Sequence, residues 1–383
     1  MIREANNKIF NSKSYIDKHK QIPVNNLIFV YTPPKVGSTT LVSSIRISAS
    51  HLFTVFHIHD EIMLNVLTGI NNVTINELIE YNAKIGKNVY VIDVYRTPIE
   101  RKISEFFEKI GPIHFNNSEE NLNNYNIDLV LKRFNSLFPY IGNGDYYSEK
   151  YNLILPKSFD FENKYLYEEV NGVKYIKLRL KDSKEWGSIL TKILGTEIYI
   201  INQYKTEDKS IGQLFRRFKQ IYRLPINFYE NIKHCKYLNY YYSNSEKQNY
   251  LNEWLNKITE HFDPFTVNEY QFYLKFSIEN KYYNDFQTEH YTDYGCLCRL
   301  CSKKRSEILD NVKKGIVIYD KINHNQLVNN DLQSKAYTII NINNKINNKT
   351  TNKFNNYSVL NQTQLNKNNE FSKKLQIKNL MIR

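Results

Sequence analysis

Cysteine is scarce in this 383-residue chain: there are four, Cys235, Cys296, Cys298 and Cys301. Three of them crowd into residues 296–301, a layout that argues against a secreted disulfide framework and favours a reduced compartment. The N-terminal stretch MIREANNKIFNSKSYIDKHK lacks the apolar core of a signal peptide. No apolar run approaches the length of a membrane span. These absences together lead to the expectation of a soluble, cytoplasmic protein. No internal repeat is present, which argues against a solenoid or propeller. No recognisable nucleic-acid-binding motif is present either, so nucleic acid is not an expected partner.

What is there is a chain able to fold around a sizeable core. Hydrophobic residues make up 41% and aromatic residues 14%, with Tyr the most frequent aromatic. The formal net charge is +13, which favours an anionic partner. The chain is also rich in Asn, Lys, Ile and Tyr, the residues an A+T-rich genome tends to encode, so the charge carries little weight alone.

Residues 1–25 read as a polar extension. Strand and helix signals then alternate. Leu27–Tyr31 is a short apolar run of the kind found in buried parallel strands. A helix is expected from Ser38 to Ser50, a strand over Phe53–Ile58, and a helix over Thr74–Ile85 stopped by Gly86. Val89–Tyr95 is the next strand. Thr97-Pro98-Ile99-Glu100 then has the form of a helix start with a capping box. Residues 111–172 read as irregular apart from a helix near 127–138. A strand over Lys174–Leu180, a helix capped by Asp182 with Glu185 and ended by Gly195, and a strand over Glu197–Asn202 follow. Helices are expected near 207–223, 226–236 and 245–260, the last opened by Ser243 with Glu246. This order predicts an α/β fold, a parallel sheet between two helical layers, with a helical second half. Residues 26–262 form the expected main domain, 263–340 a C-terminal appendage, and 341–383 an Asn/Lys-rich low-complexity tail.

The segment most loaded with chemistry is Pro33-Pro34-Lys35-Val36-Gly37-Ser38-Thr39-Thr40. It follows the first strand and opens a helix, so backbone N–H groups and the positive helix end face an anion. Gly37 allows close backbone approach, Ser38, Thr39 and Thr40 add hydroxyls, and Lys35 adds a mobile positive charge. The common nucleotide-triphosphate loop places Gly-Lys-Ser/Thr at its end, after an earlier Gly; here Lys precedes Gly and no Gly precedes Lys.

The order Pro-Lys-x-Gly-Ser-Thr resembles the 5′-phosphosulfate loop of the sulfotransferase superfamily, whose donor is 3′-phosphoadenosine 5′-phosphosulfate. The resemblance implies a second element, an Arg at the end of a later strand and a Ser in the next helix, both on the 3′-phosphate. Arg96 and Ser104 have that spacing. A looser similarity to sulfotransferase-like proteins of capsular polysaccharide synthesis runs through Arg179-Leu180-Lys181-Asp182, Phe215–Phe218 and Tyr240–Ser243 to about residue 260. It implies a carbohydrate hydroxyl as acceptor. Lys181 stands where an acid is usual, and the C-terminal nucleotide loop of cytosolic sulfotransferases is not recognisable. The family's donor-binding residues map onto Lys35, Val36, Gly37, Ser38, Thr39, Thr40, Arg96 and Ser104. Lys35 would also neutralise the leaving bridge oxygen.

Sulfuryl transfer needs a group to take the acceptor proton. In the segment Val55-Phe56-His57-Ile58-His59-Asp60-Glu61, His59 is favoured, with His57 and Glu61 as alternatives. The cysteine cluster could hold zinc with His290 or Cys235 as fourth ligand, but Cys-x-Cys-x2-Cys is not a strong zinc spacing and unpaired thiols are preferred. Two other functions compete: a P-loop kinase using Mg-ATP, for which Asp93 would hold the metal, and a nucleotide-binding relative without catalysis.

Overall fold

The computed structural model describes residues 1–11, 25–108, 110–115, 118–137, 145–201 and 206–261, the pair 292–293, and isolated positions between 303 and 314. The cysteines at 296, 298 and 301, His290, and the tail from 341 lie outside the described residues.

The elements run α1 (Ile2–Asn11), β1 (Asn26–Tyr31), α2 (Ser38–Ala49), β2 (Thr54–Ile58), α3 (Glu61–Thr68), α4 (Ile75–Lys84), β3 (Asn88–Tyr95) and α5 (Pro98–Phe106). A π-helical turn (Ile110–Phe115), α6 (Glu119–Leu122), α7 (Ile127–Leu137) and α8 (Tyr146–Glu149) lead to the hairpin β4 (Tyr165–Val170) and β5 (Val173–Arg179). After α9 (Trp186–Leu194) come α10 (Gly212–Ile221), β6 (Leu224–Pro225), α11 (Ile226–Lys233), α12 (Lys236–Tyr241), α13 (Asn244–Leu255), β7 (Ile258–Thr259) and the short β8 (Thr292–Asp293).

The fold is α/β with a mostly parallel central sheet flanked by helices. The sheet order is β4-β5-β3-β1-β2-β8. The inner strands β5, β3, β1 and β2 are parallel, and the outer β4 and β8 are antiparallel to their neighbours. Side chains of β1 alternate between two cores: Leu27, Phe29 and Tyr31 enter one, Ile28 and Val30 the other. Burial on both faces explains why β1 is a nearly continuous apolar run rather than an alternating one, while β3 and β5 carry Asp93, Lys177 and Arg179 among their apolar residues. The chain leaves β1 for β2 on one side and returns to β3 on the other side of β1. The carboxyl ends of β1 and β3 are therefore adjacent at a reversal of strand order, where open α/β sheets form their crevice.

Several elements differ from the sequence expectation. Residues 2–11 are not simply a polar extension: they form α1, whose Ala5 and Ile9 are buried, and Asn82 of α4 donates to Asn6 Oδ1 at 2.7 Å. β4 lies in the stretch expected to be irregular. Its turn, Asn171-Gly172, has φ of 52° and 75°, the left-handed pair that two-residue hairpins require.

The strand expected over Glu197–Asn202 does not form among the described residues. The N–H groups of Tyr199 and Ile201 donate instead to the hydroxyls of Ser48 and Ser44 on α2, at 3.0 and 2.9 Å. Serine hydroxyls thus satisfy this backbone where a sheet neighbour would have. The expected caps at Thr97 and Asp182 are also absent: Glu100 accepts from Tyr250 and Trp254, and Asp182 accepts from Arg179 Nε at 2.5 Å. The box of Ser243 with Glu246 forms, as does one of Thr74 with Glu77.

Candidate functional site

The loop after β1 and the start of α5 after β3 face one cavity of about 570 Å³. Lys35, Gly37, Ser38, Thr39, Thr40, Arg96 and Ser104 all line it, together with His57 and His59. Two motifs separated by about sixty residues in sequence thus share one crevice, as the reversal of strand order between β1 and β3 requires. They also touch directly: Arg96 Nη1 donates to the Lys35 carbonyl at 2.7 Å.

The loop is held in an uncommon conformation. Lys35 has φ of 65°, rare for a residue with a Cβ, and Gly37 has φ of 90° as the N-cap of α2. The bond from Arg96 helps to hold that bend. A Cβ on Gly37 would meet Leu180 Cδ1 at 2.8 Å and the Trp186 ring at 3.1 Å. The space left by the missing side chain is therefore filled by the protein's own packing, a reason for this glycine that the sequence does not show. Val36 is not among the lining residues: it is buried in the core beneath the loop, and only its backbone remains to serve a ligand.

The two histidines at the end of β2 differ. His57 is buried and its Nε2 lies 2.9 Å from Ser38 Oγ, so it braces the first turn of α2. His59 is half-buried, and its Nδ1 lies 2.8 Å from the Thr32 carbonyl. A carbonyl can only accept, so Nδ1 carries the proton and the lone pair of the neutral ring is on Nε2. Burial pulls the His59 pKa down to about 4; the Thr32 carbonyl opposes this and the charge of Lys35 adds to it. The ring is neutral near pH 7, in the state that can take up a proton. Glu61 stands elsewhere. It accepts from Tyr31 at 3.0 Å and pairs with Lys150 at 3.5 Å, and it is not among the lining residues.

Four lining cations, Lys35, Arg96, Lys219 and Lys257, face four lining carboxylates, Glu100, Glu108, Glu207 and Glu253. Glu108 is ion-paired with Lys35 and lies 3.4 Å from Lys209. Sequence reasoning missed Glu108, although Glu100, Ser104 and Glu108 recur at the four-residue interval that places side chains on one helical face. It also missed the aromatic wall of Phe215, Tyr222 and Trp254, contributed by α10, its C-cap and α13. Those rings belong to helices whose apolar residues read simply as core. Among the described residues, no three His, Cys, Asp or Glu side chains come together as a metal centre. No helix of the described residues is long and apolar enough to cross a membrane.

No family model matches the chain, and no curated protein or solved structure matches it.

Proposed function

We propose that the chain is a sulfotransferase of P-loop type that moves a sulfuryl group from 3′-phosphoadenosine 5′-phosphosulfate to a hydroxyl of a carbohydrate. The carrying observation is that the Lys35 loop and the Arg96–Ser104 pair line the same cavity. Together they offer an amide-and-lysine cradle beside a guanidinium and a hydroxyl, two anion sites matching the two ends of a doubly substituted adenosine. The loop from Lys35 to Thr40 would hold the phosphosulfate, Arg96 and Ser104 the 3′-phosphate, and the rings of Phe215, Tyr222 and Trp254 the adenine. The donor, when bound, supplies the sulfuryl group and a stable phosphate leaving group.

The protein's own residues then have distinct tasks. Lys35 neutralises charge on the bridge oxygen as its bond to sulfur breaks. His59 Nε2 takes the proton of the acceptor hydroxyl as the new oxygen–sulfur bond forms. Besides burial, Lys35 lowers its basicity and Glu108 raises it, so the ring responds to the charge balance around that lysine. His57, which also lines the cavity, positions Ser38 through its Nε2. The carbohydrate class of the acceptor rests on the looser sequence resemblance.

The kinase reading is weakened by Asp93. Its carboxylate is buried, pairs with Lys177 at 2.5 Å and does not line the cavity, so it is not offered to a metal at the phosphates. Calorimetry decides between the readings. Adenosine 3′,5′-bisphosphate should bind without metal and more tightly than ATP. A preference for ATP with Mg²⁺ would remove the sulfotransferase reading. Arg96→Ala should weaken the bisphosphate by about 30-fold or more, because one charged hydrogen-bonding partner of a phosphate is lost.

A further inference from the structure

We propose that Glu108 is an internal anion that occupies Lys35 while the cavity is empty, and that Lys209 takes it over when an anionic ligand enters. The inference rests on Lys35 being a ligand-binding residue, as in the function proposed above. Glu108 follows the C-terminal end of α5, one helical turn beyond Ser104, and its Oε2 is shared by the Lys35 and Lys209 ammonium groups. Burial alone would raise its pKa, but the two lysines together hold it below the ordinary carboxylate range, so it stays charged.

A phosphate or phosphosulfate at Lys35 would meet this carboxylate as a like charge. Two anions cannot share one ammonium in a half-buried cavity without a substantial cost. The cavity lining gives no surplus to offset it, because its four cationic side chains are matched by four carboxylates. Glu108 must therefore release Lys35, and Lys209 is the cation already within 3.4 Å. The backbone at Lys209 is pinned: its N–H donates to Thr206 and its carbonyl accepts from Gly212. A Cβ on Gly212 would come within 2.1 Å of the Glu207 carbonyl, so the turn that carries Lys209 is tightly packed. Lys209 thus offers a fixed station for the displaced carboxylate. The device also sets specificity: a ligand must outbid an internal monocarboxylate, which favours dianionic groups over carboxylic acids.

The test is calorimetry on the full chain with adenosine 3′,5′-bisphosphate and, separately, with inorganic pyrophosphate. Glu108→Gln should bind the bisphosphate about ten-fold more tightly, because the like charge is gone. Lys209→Met should weaken binding about ten-fold in the native background yet by less than about two-fold beside Glu108→Gln, since its role acts through that carboxylate. Glu108→Asp keeps the charge and should stay within about three-fold of the native protein, which guards against reading a folding defect as a binding effect. Equal losses from Lys209→Met in both backgrounds would show that Lys209 grips the ligand itself and would overturn the proposal. Unchanged or weaker binding by a folded Glu108→Gln protein would overturn it as well. If the bisphosphate binds no variant while pyrophosphate binds Glu108→Gln more tightly, the nucleotide reading falls and the internal anion stands. Failure of both anions to bind any variant sinks both.

Discussion

Two clusters of lysine and carboxylate lie within this chain, and they are built for opposite ends. In one, Lys177 of β5 sits between Asp93 of β3 and Asp145 at the start of α8, with each of the three side chains at most 1% exposed. Tyr241 of α12 completes it by donating to Asp145 at 2.7 Å. In the other, Lys35, Glu108 and Lys209 are 19%, 35% and 23% exposed and line or border the cavity. The dry cluster ties the sheet to the helical second half and has no water to replace a lost partner. The wet one can exchange partners at modest cost. Ion pairs of the same chemistry therefore act as a fixed joint where solvent is excluded and as a rearrangeable site where it is not.

The largest effect expected from this contrast is on stability. Lys177→Met leaves two buried carboxylates facing each other and should cost about 3–5 kcal/mol of unfolding free energy. Lys35→Met removes an equally charged group from the wet cluster and should cost less than about 1 kcal/mol, while nucleotide binding is lost. Urea denaturation of the two variants, side by side with calorimetry, measures both. Equal destabilisation would erase the distinction between joint and site.

A smaller effect tests where the cavity ends and the packed interior begins. Gly37 lines the cavity, yet its missing Cβ leaves room for Leu180 and Trp186. Gly37→Ala adds a methyl at 2.8 Å from Leu180 Cδ1 and forces a left-handed φ on alanine, so it should cost about 1–3 kcal/mol. If thermal unfolding is unchanged and only binding suffers, the glycine serves the ligand instead of the packing.

The two regions were not equally legible. The wet site was largely visible in sequence, because anion chemistry at a strand–helix junction needs particular residues at particular spacings, and Lys35, Gly37, Ser38, Arg96 and Ser104 occupy them. Its opposing carboxylate was not, since Glu108 lies a turn past the last motif residue and looks like any exposed helix acid. The dry joint was invisible. Its members are 52 and 32 residues apart in sequence, at 93, 145 and 177, and meet only through sheet order and the placement of α8. The inner strands read correctly because burial on both faces makes them predominantly apolar, with Asp93 and Lys177 as exceptions. The expected strand at 197–202 failed because Ser44 and Ser48 on a distant helix satisfy its backbone. The hairpin β4–β5 was overlooked although Asn171-Gly172 spells out its turn.

The smallest effect expected is in the pH dependence, where the clusters should respond with opposite sign. Burial pushes the Asp93 pKa up from 3.8 to about 6, against the pull of Lys177. The folded protein therefore holds a proton there that the unfolded chain has released, between roughly pH 4 and 6. That contribution to stability is full below the unfolded value and is lost as pH rises through about 6. Glu108 is shifted the other way, below its ordinary 4.5, by Lys35 and Lys209 acting against burial. Its contribution is full above the unfolded value and is lost as pH falls through the folded one. Unfolding free energies from pH 3.5 to 7 should separate these. The native protein minus Asp93→Asn should decline as pH rises toward about 6, whereas the native protein minus Glu108→Gln should decline as pH falls below about 4.5. Parallel slopes would mean that exposure does not distinguish the two clusters, and that water reaches the Lys177 joint as readily as it reaches Lys35.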